Sequence, residues 1–193
     1  MTDANRPLPE TPSQTAGPYL HIGLAPRLAG IDGPCAALGS PGAEPDLPGP
    51  RIRVSGTITD GAGAPVGDAL LEVWQADADG RHAAGGFRGW FRVAPDARTG
   101  AFQFETLRPG AVDAPGLAGS APHLSLWIIA RGINTGLATR LYFADAAEAN
   151  AGDPVLARVP LERRASLMAR PGPFGYHFDI RLQGPDETVF FDF

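Results

Sequence analysis

Four histidines (His21, His82, His123 and His177), one cysteine (Cys35) and a scatter of carboxylates could ligate a metal or move a proton in this 193-residue chain. Their spacing matches none of the compact catalytic signatures. There is no HExxH, no cysteine pair, no P-loop and no GxGxxG, and no serine or cysteine nucleophile has an identifiable base. The segment nearest to a site is His123–Arg131. Read as a β-strand, it points His123, Ser125, Trp127, Ile129 and Arg131 one way, and Leu124, Leu126, Ile128 and Ala130 the other way into a core. A His-x-His pair on such a strand would set two imidazoles on one metal, but Ser125 holds the second position. On the residues alone, His123 reads more simply as a core or interface histidine bonded to a backbone group, and Arg131 as a solvated or salt-bridged cation. Along a straight strand Arg131 would lie ~26 Å from His123 at ~3.3 Å per residue, so a pocket centred on His123 could not use it.

The elements that must hold these residues are short. Ile52, Val54 and Ile58 alternate with polar neighbours over Arg51–Thr59, the pattern of a half-buried strand, and Asp60-Gly61 ends it as a turn. Further strands are expected at Ala69–Gln75, Phe87–Val93, Ala101–Leu107, His123–Arg131, Thr139–Phe143 and Tyr176–Leu182, with an aromatic last run at Thr188–Phe193. Two short helices fit the remaining signals: Ala146–Asn150 capped by Asp145, and Leu161–Ala169 opened by Pro160 and stopped by Pro171-Gly172. About seven or eight short strands with frequent turns predict an all-β chain folded as a β-sandwich. Residues 1–19 carry four prolines and read as an extended arm. The Gly/Pro-rich stretch from Pro26 to Pro50 is too long and too poor in pattern for one compact core, and is expected to wrap a surface or a partner. The organisation expected is an arm and interface loop over 1–50 and a single β-sandwich domain over 51–193.

Composition bounds the class. The chain is 44% hydrophobic and 19% charged, with 25 glycines and 20 prolines, which suits many short strands joined by turns better than disorder. A net charge of −5 argues against nucleic acid and anionic membrane surfaces, and no stretch is long enough to span a bilayer. The opening MTDANRPLPETPSQ lacks the basic and apolar regions of a secretory signal, and Cys35 has no internal partner, so a reducing cytoplasm is expected.

Four ordered segments carry a resemblance: TPSQTAGPYLHIGLAP at 11–26, LEVWQADADG at 71–80, ARGINTGLATRLYF at 130–143 and ETVFFDF at 187–193. Together they resemble the intradiol ring-cleavage dioxygenases, and within them the α subunits of the protocatechuate-cleaving enzymes. The resemblance implies a β-sandwich core and a homologous β subunit as partner, in αβ units that assemble further. It implies one non-heme Fe(III), bound by two tyrosines and two histidines of that β subunit. Carried residue by residue, the tyrosine after the WQA…G-R segment is His82 here, and the one after the Pro-Gly segment is Val112. Of the two histidines, His123 remains and Ser125 replaces the other. These are degenerate positions, and alkyl and hydroxyl groups do not replace phenolate and imidazole as strong ferric ligands. A weak His82–His123 site is the alternative.

The resemblance also assigns this chain a share in the partner's substrate pocket, through Thr15, Gly17, Pro18 and Arg131, with Gln14 and Tyr19 as weaker candidates. The reaction implied is cleavage of protocatechuate by O2 between its hydroxyl-bearing carbons to 3-carboxy-cis,cis-muconate, a step of aromatic catabolism in the β-ketoadipate pathway, with no reducing cofactor. The planar guanidinium of Arg131 suits the substrate carboxylate. Two other readings stay open: a homo-oligomeric catechol-type dioxygenase with its own iron, and a non-catalytic β-sandwich assembly module.

Overall fold

The computed structural model describes residues 14–17, 19–33, 39–40, 47–113, 118–134 and 136–192. Expectations that fall on residues 1–13, Pro18, Cys35 and parts of the 26–50 loop lie outside the described residues. Among those described, nine strands form: β1 (Arg51–Thr59), β2 (Leu70–Gln75), β3 (Trp90–Val93), β4 (Ala101–Leu107), β5 (His123–Ile129), β6 (Leu137–Phe143), β7 (Met168–Gly172), β8 (Gly175–His177) and β9 (Ile180–Arg181). Their order is β3-β2-β5-β6-β7-β8-β1-β4, with β9 also paired to β1. The half around β2, β5 and β6 faces the half around β1 and β4 across one core, which makes the expected β-sandwich. Val54 and Ile58 from β1, Phe102 and Phe104 from β4, Leu71 and Val73 from β2, and Leu124, Leu126 and Ile128 from β5 all meet in that core. The alternation read from the sequence is the alternation that packs. No helix among the described residues is long and apolar enough to cross a membrane.

β5 is the strand that matters for any site. It lies antiparallel between β2 and β6, with Trp74 opposite Ser125 on one side and Arg140 opposite Ser125 on the other. Leu124 and Ile128 are fully buried and Leu126 nearly so, while Trp127 is 43% exposed on the outer face. Each apolar side chain buried this way contributes about 1.5–3 kcal/mol, so a one-residue slip would forfeit the core face of the strand.

Several elements depart from expectation, each for a local reason. The run Tyr176–Leu182 is split into β8 and β9. Between them Asp179 replaces a ladder partner by accepting the Thr57 backbone N–H at 2.9 Å and its hydroxyl at 2.8 Å. Asp145 caps no helix: α2 (Ala147–Gly152) begins after Ala146 without a side-chain cap. Asp145 instead accepts both Nη groups of Arg108 at 3.0 Å and the Tyr176 hydroxyl at 2.7 Å. Leu161–Leu167 is a 3-10 helix rather than an α-helix, and Met168–Gly172 follows it as a strand. That strand runs parallel to Tyr142–Phe143 and then antiparallel to β8, so it belongs to both halves. Phe87–Gly89 is irregular and follows a turn at Gly85–Gly86, so β3 starts only at Trp90, and Thr188–Asp192 contributes one bridge, Ala138 to Phe191.

Just past the expected arm, the chain forms two short helical pieces that the sequence did not signal. Leu20–Leu24 forms a short helix, α1, and Pro26–Ala29 a 3-10 turn. The end of α1 is fastened to the β2–β3 edge: Arg92 donates to the Leu24 carbonyl at 2.7 Å and pairs with Glu72 at 2.6 Å. The Arg92 backbone N–H donates to Gly39 O at 2.6 Å.

Gly56 shows how tightly β1 packs against its own sheet neighbours. A β-carbon there would sit 1.8 Å from the Phe178 carbonyl oxygen and 2.9 Å from the Phe102 ring. Gly56→Ala is therefore expected to lower stability by about 1–3 kcal/mol, the range for overpacking. The shift of the urea unfolding midpoint, at unchanged m-value, measures it.

Candidate functional site

The two ends of β5 carry two different constellations. At its C-terminal end the chain turns at Arg131-Gly132, with Gly132 at φ +80° and Ile133 N–H donating to Ala130 O. The strand thus stops at Ile129, two residues short of Arg131. The turn exposes the Gly132 N–H, which donates to Thr15 Oγ1 at 2.7 Å. The Gln14 N–H donates to Asn134 Oδ1 beside it. Arg131 is 72% exposed, and its Nε donates to Asp68 Oδ2 at 2.5 Å. Asp68 raises the Arg131 pKa further, so the guanidinium is permanently charged. Its two Nη groups have no partner among the described residues.

Arg131 and Asp68 join Ala16, Gly17, Leu20 and His21 around a cleft of about 270 Å³. His21 Nε2 donates to Ala69 O at 3.3 Å and pins α1 over this end of β2. The structure thus gathers Thr15, Gly17 and Arg131, with Gln14 alongside. Tyr19 is 77% exposed beside them, and Pro18 lies outside the described residues. Asp68 and His21 are additions. Asp68 was invisible because it meets Arg131 only through the β2–β5 register, where Leu70 faces Ile129 and two more residues bring 68 opposite 131.

At the N-terminal end of β5 lie the degenerate positions. His82 stacks on Trp74 with centroids 5.5 Å apart and rings 10° from parallel, and burial lowers its pKa. His123 is 5% exposed and its Nδ1 donates to Ala121 O at 2.7 Å. Burial first, and then the charge of Arg140, push its pKa down to about 4. Val112 is buried and bridged to Ser120. Ser125 stands half-buried between Trp74 and Arg140.

These residues do not fit a ferric ion. Val112 offers no donor atom, and no group of three His, Cys, Asp or Glu among the described residues could hold a metal. Tyr142, opposite His123, does not supply a phenolate. Burial raises its pKa, its hydroxyl donates to Asp153 Oδ1 at 3.1 Å, and Arg140 Nη1 donates to it at 3.3 Å. Asp153 is committed as well, accepting the N–H groups of Ala121, Val155 and Leu156 at 2.8–2.9 Å.

Comparison with known proteins agrees with this architecture. The family model described as Dioxygenase matches residues 39–184. The chain belongs to the intradiol dioxygenase family. Within it, the chain is 45% identical to the protocatechuate 3,4-dioxygenase alpha chain of Pseudomonas putida, over 96% of this chain and 98% of that one. It is 46% identical to the alpha chain from Burkholderia cepacia over the same shares. The Burkholderia cepacia beta chain is 32% identical over 72% of this chain and 67% of its own. Among solved structures, the dioxygenase domain of a carbohydrate-binding fusion from Streptomyces sp. SirexAA-E superposes with a TM-score of 0.56. That match has 26% identity and covers 76% of this chain and 96% of that one.

The depressed His123 pKa has a consequence for stability. Between about pH 4 and 6.5 the unfolded chain takes up a proton at this residue and the folded chain does not. Stability therefore falls as pH drops through that window, by up to about 3 kcal/mol, and above pH 6.5 the effect is absent. In His123→Gln the slope of unfolding free energy over pH 4–6.5 should be shallower than in wild type, while other groups keep theirs.

Proposed function

We propose that this chain is the α subunit of a protocatechuate 3,4-dioxygenase, inactive alone, and that it completes a substrate pocket whose iron is held by a homologous β subunit. The observation that carries the reading is the cleft at the end of β5. A charged guanidinium, a side-chain-free backbone at Gly17 and the docked Thr15 converge there, away from the degenerate positions. The relatives named as alpha chains, and the more distant likeness to a beta chain, support the αβ partnership.

On this reading the work of the chain is to bind and orient. The partner's ferric ion, when bound, supplies the redox centre at which the catechol is opened by O2. Arg131 takes the ring's carboxylate. With Nε held by Asp68, its outer Nη edge is presented to the pocket, and a planar edge fits a carboxylate at two points. Gly17 lets backbone approach a flat ring. Thr15 holds the arm in register with the Arg131-Gly132 turn. Interactions of this kind stabilise substrate and transition state alike, so their loss should appear in KM more than in kcat.

The arm and loop (1–50) serve on this reading as the interface and 51–193 as the domain, in a protein of the cytoplasm. The catechol-type reading needs an iron site in this chain, and the residues present do not form one. The chain expressed alone should contain no stoichiometric iron and take up no oxygen with protocatechuate, and the visible colour of a phenolate–iron centre should appear only with the β partner. A coloured, active homo-oligomer would overturn the reading.

Arg131→Ala in the αβ complex should raise KM for protocatechuate by about one to two orders of magnitude. This follows from a charge-assisted hydrogen bond of ~1.5–3 kcal/mol, with ~1.4 kcal/mol per factor of ten. Iron content should not change. Catechol, which has no carboxylate, should lose much less, and Arg131→Lys should recover part of the loss. Steady-state oxygen uptake on both substrates measures this. Equal losses on the two would reassign Arg131 to shaping the interface.

A further inference from the structure

Arg140 is a buried cation with an unusual lack of company. It is 5% exposed, on the outer face of β6, directly across the ladder from Ser125 and beside Tyr142, which faces His123. Its Nη1 reaches the Tyr142 hydroxyl, its Nε is buried with no hydrogen-bond partner, and no carboxylate among the described residues touches it. Asp153, the nearest acid in the network, is reached only through Tyr142 and is already held by three backbone N–H groups. A guanidinium normally enters a protein interior only with a paired carboxylate, because an uncompensated buried charge is costly. Here it lies directly across the ladder from Ser125, and its partner Tyr142 faces His123, two of the positions matched by resemblance to the family's metal ligands. The phenolic oxygen of Tyr142 is the dipole shown turned toward its positive charge.

We propose that Arg140 is an internal cation that substitutes for a metal at the degenerate positions, and that it excludes metal by charge as well as by occupying the oxygen of Tyr142. Loss of iron binding is then enforced twice: the ligands are missing, and a fixed positive charge holds the place. Two like charges in a poorly screened interior repel strongly. Restoring ligand atoms while Arg140 remains should therefore not restore the site. The proposal rests on the matching of His82, Val112, His123 and Ser125 to family ligand positions, as in the function proposed above.

The test uses the αβ complex in paired variants. One carries His82→Tyr, Val112→Tyr and Ser125→His. The other adds Arg140→Gln, which removes the charge and keeps an N–H for Tyr142. Iron per αβ unit and phenolate–iron absorbance are read. The triple variant should keep the iron content of wild type, and the quadruple variant should gain one iron per unit. Extra iron in the triple variant, or none in the quadruple variant, overturns the proposal. A milder pair covers poor folding. Ser125→His alone places a third imidazole beside His82 and His123, and Co(II) absorbance is titrated with and without Arg140→Gln. Cobalt should bind only when the charge is gone; binding in both, or in neither, counts against Arg140. Iron in the unmodified chain alone would instead overturn the assignment of the subunit as metal-free.

Discussion

β5 is hydrogen-bonded along both edges, and its register with β2 and β6 sets almost everything that can be said about function. Because Leu70 faces Ile129, Asp68 arrives opposite Arg131 and Trp74 opposite Ser125. Because Ser125 faces Arg140, a guanidinium is delivered to the outer face and Tyr142 is laid against His123. The buried leucines and isoleucine on the other face hold that register, since any odd slip would turn them outward. One ladder thus separates two electrostatic settings: a solvent-facing arginine clamped by an acid at one end, and a desolvated arginine with no carboxylate partner among the described residues at the other.

The contrast between these arginines explains why the same residue type serves such different ends. Arg131 is wet, and its ion pair with Asp68 contributes little to stability. On the function proposed above, its value lies in orientation. Arg140 is dry, and its charge adds to burial in suppressing protonation of His123. Tyr142 keeps its proton for Asp153. A phenol of that kind is a structural hydrogen bond rather than a ligand, although a tyrosine in this neighbourhood would look suggestive on composition alone.

Much of the fold was legible because alternation of apolar and polar residues carries over directly into burial. Arg51–Thr59 and Ala101–Leu107 form with the boundaries expected, and Leu124, Leu126 and Ile128 pack as expected. What escaped were elements made by distant partners. β7 looks like a helix terminus in Met-Ala-Arg-Pro-Gly, and becomes a strand because Tyr142–Phe143 lies beside it. Asp145 looks like a cap and is taken by Arg108 and Tyr176. Of the cleft, Thr15, Gly17 and Arg131 came from family resemblance rather than from local pattern. Asp68, His21 and Arg140 depend on cross-strand pairing that no local signal encodes.

β3 lies at the edge of the sheet order, and an edge strand offers unpaired backbone groups to any passing chain. Here the Arg92 N–H is already spoken for by Gly39, while the Arg92 side chain reaches back to α1. The same segment that fastens the N-terminal region therefore also seals a sticky margin. For a chain proposed to work beside a homologous partner, this is protection against the wrong company: a covered margin offers copies of the same chain less of a template on which to stack.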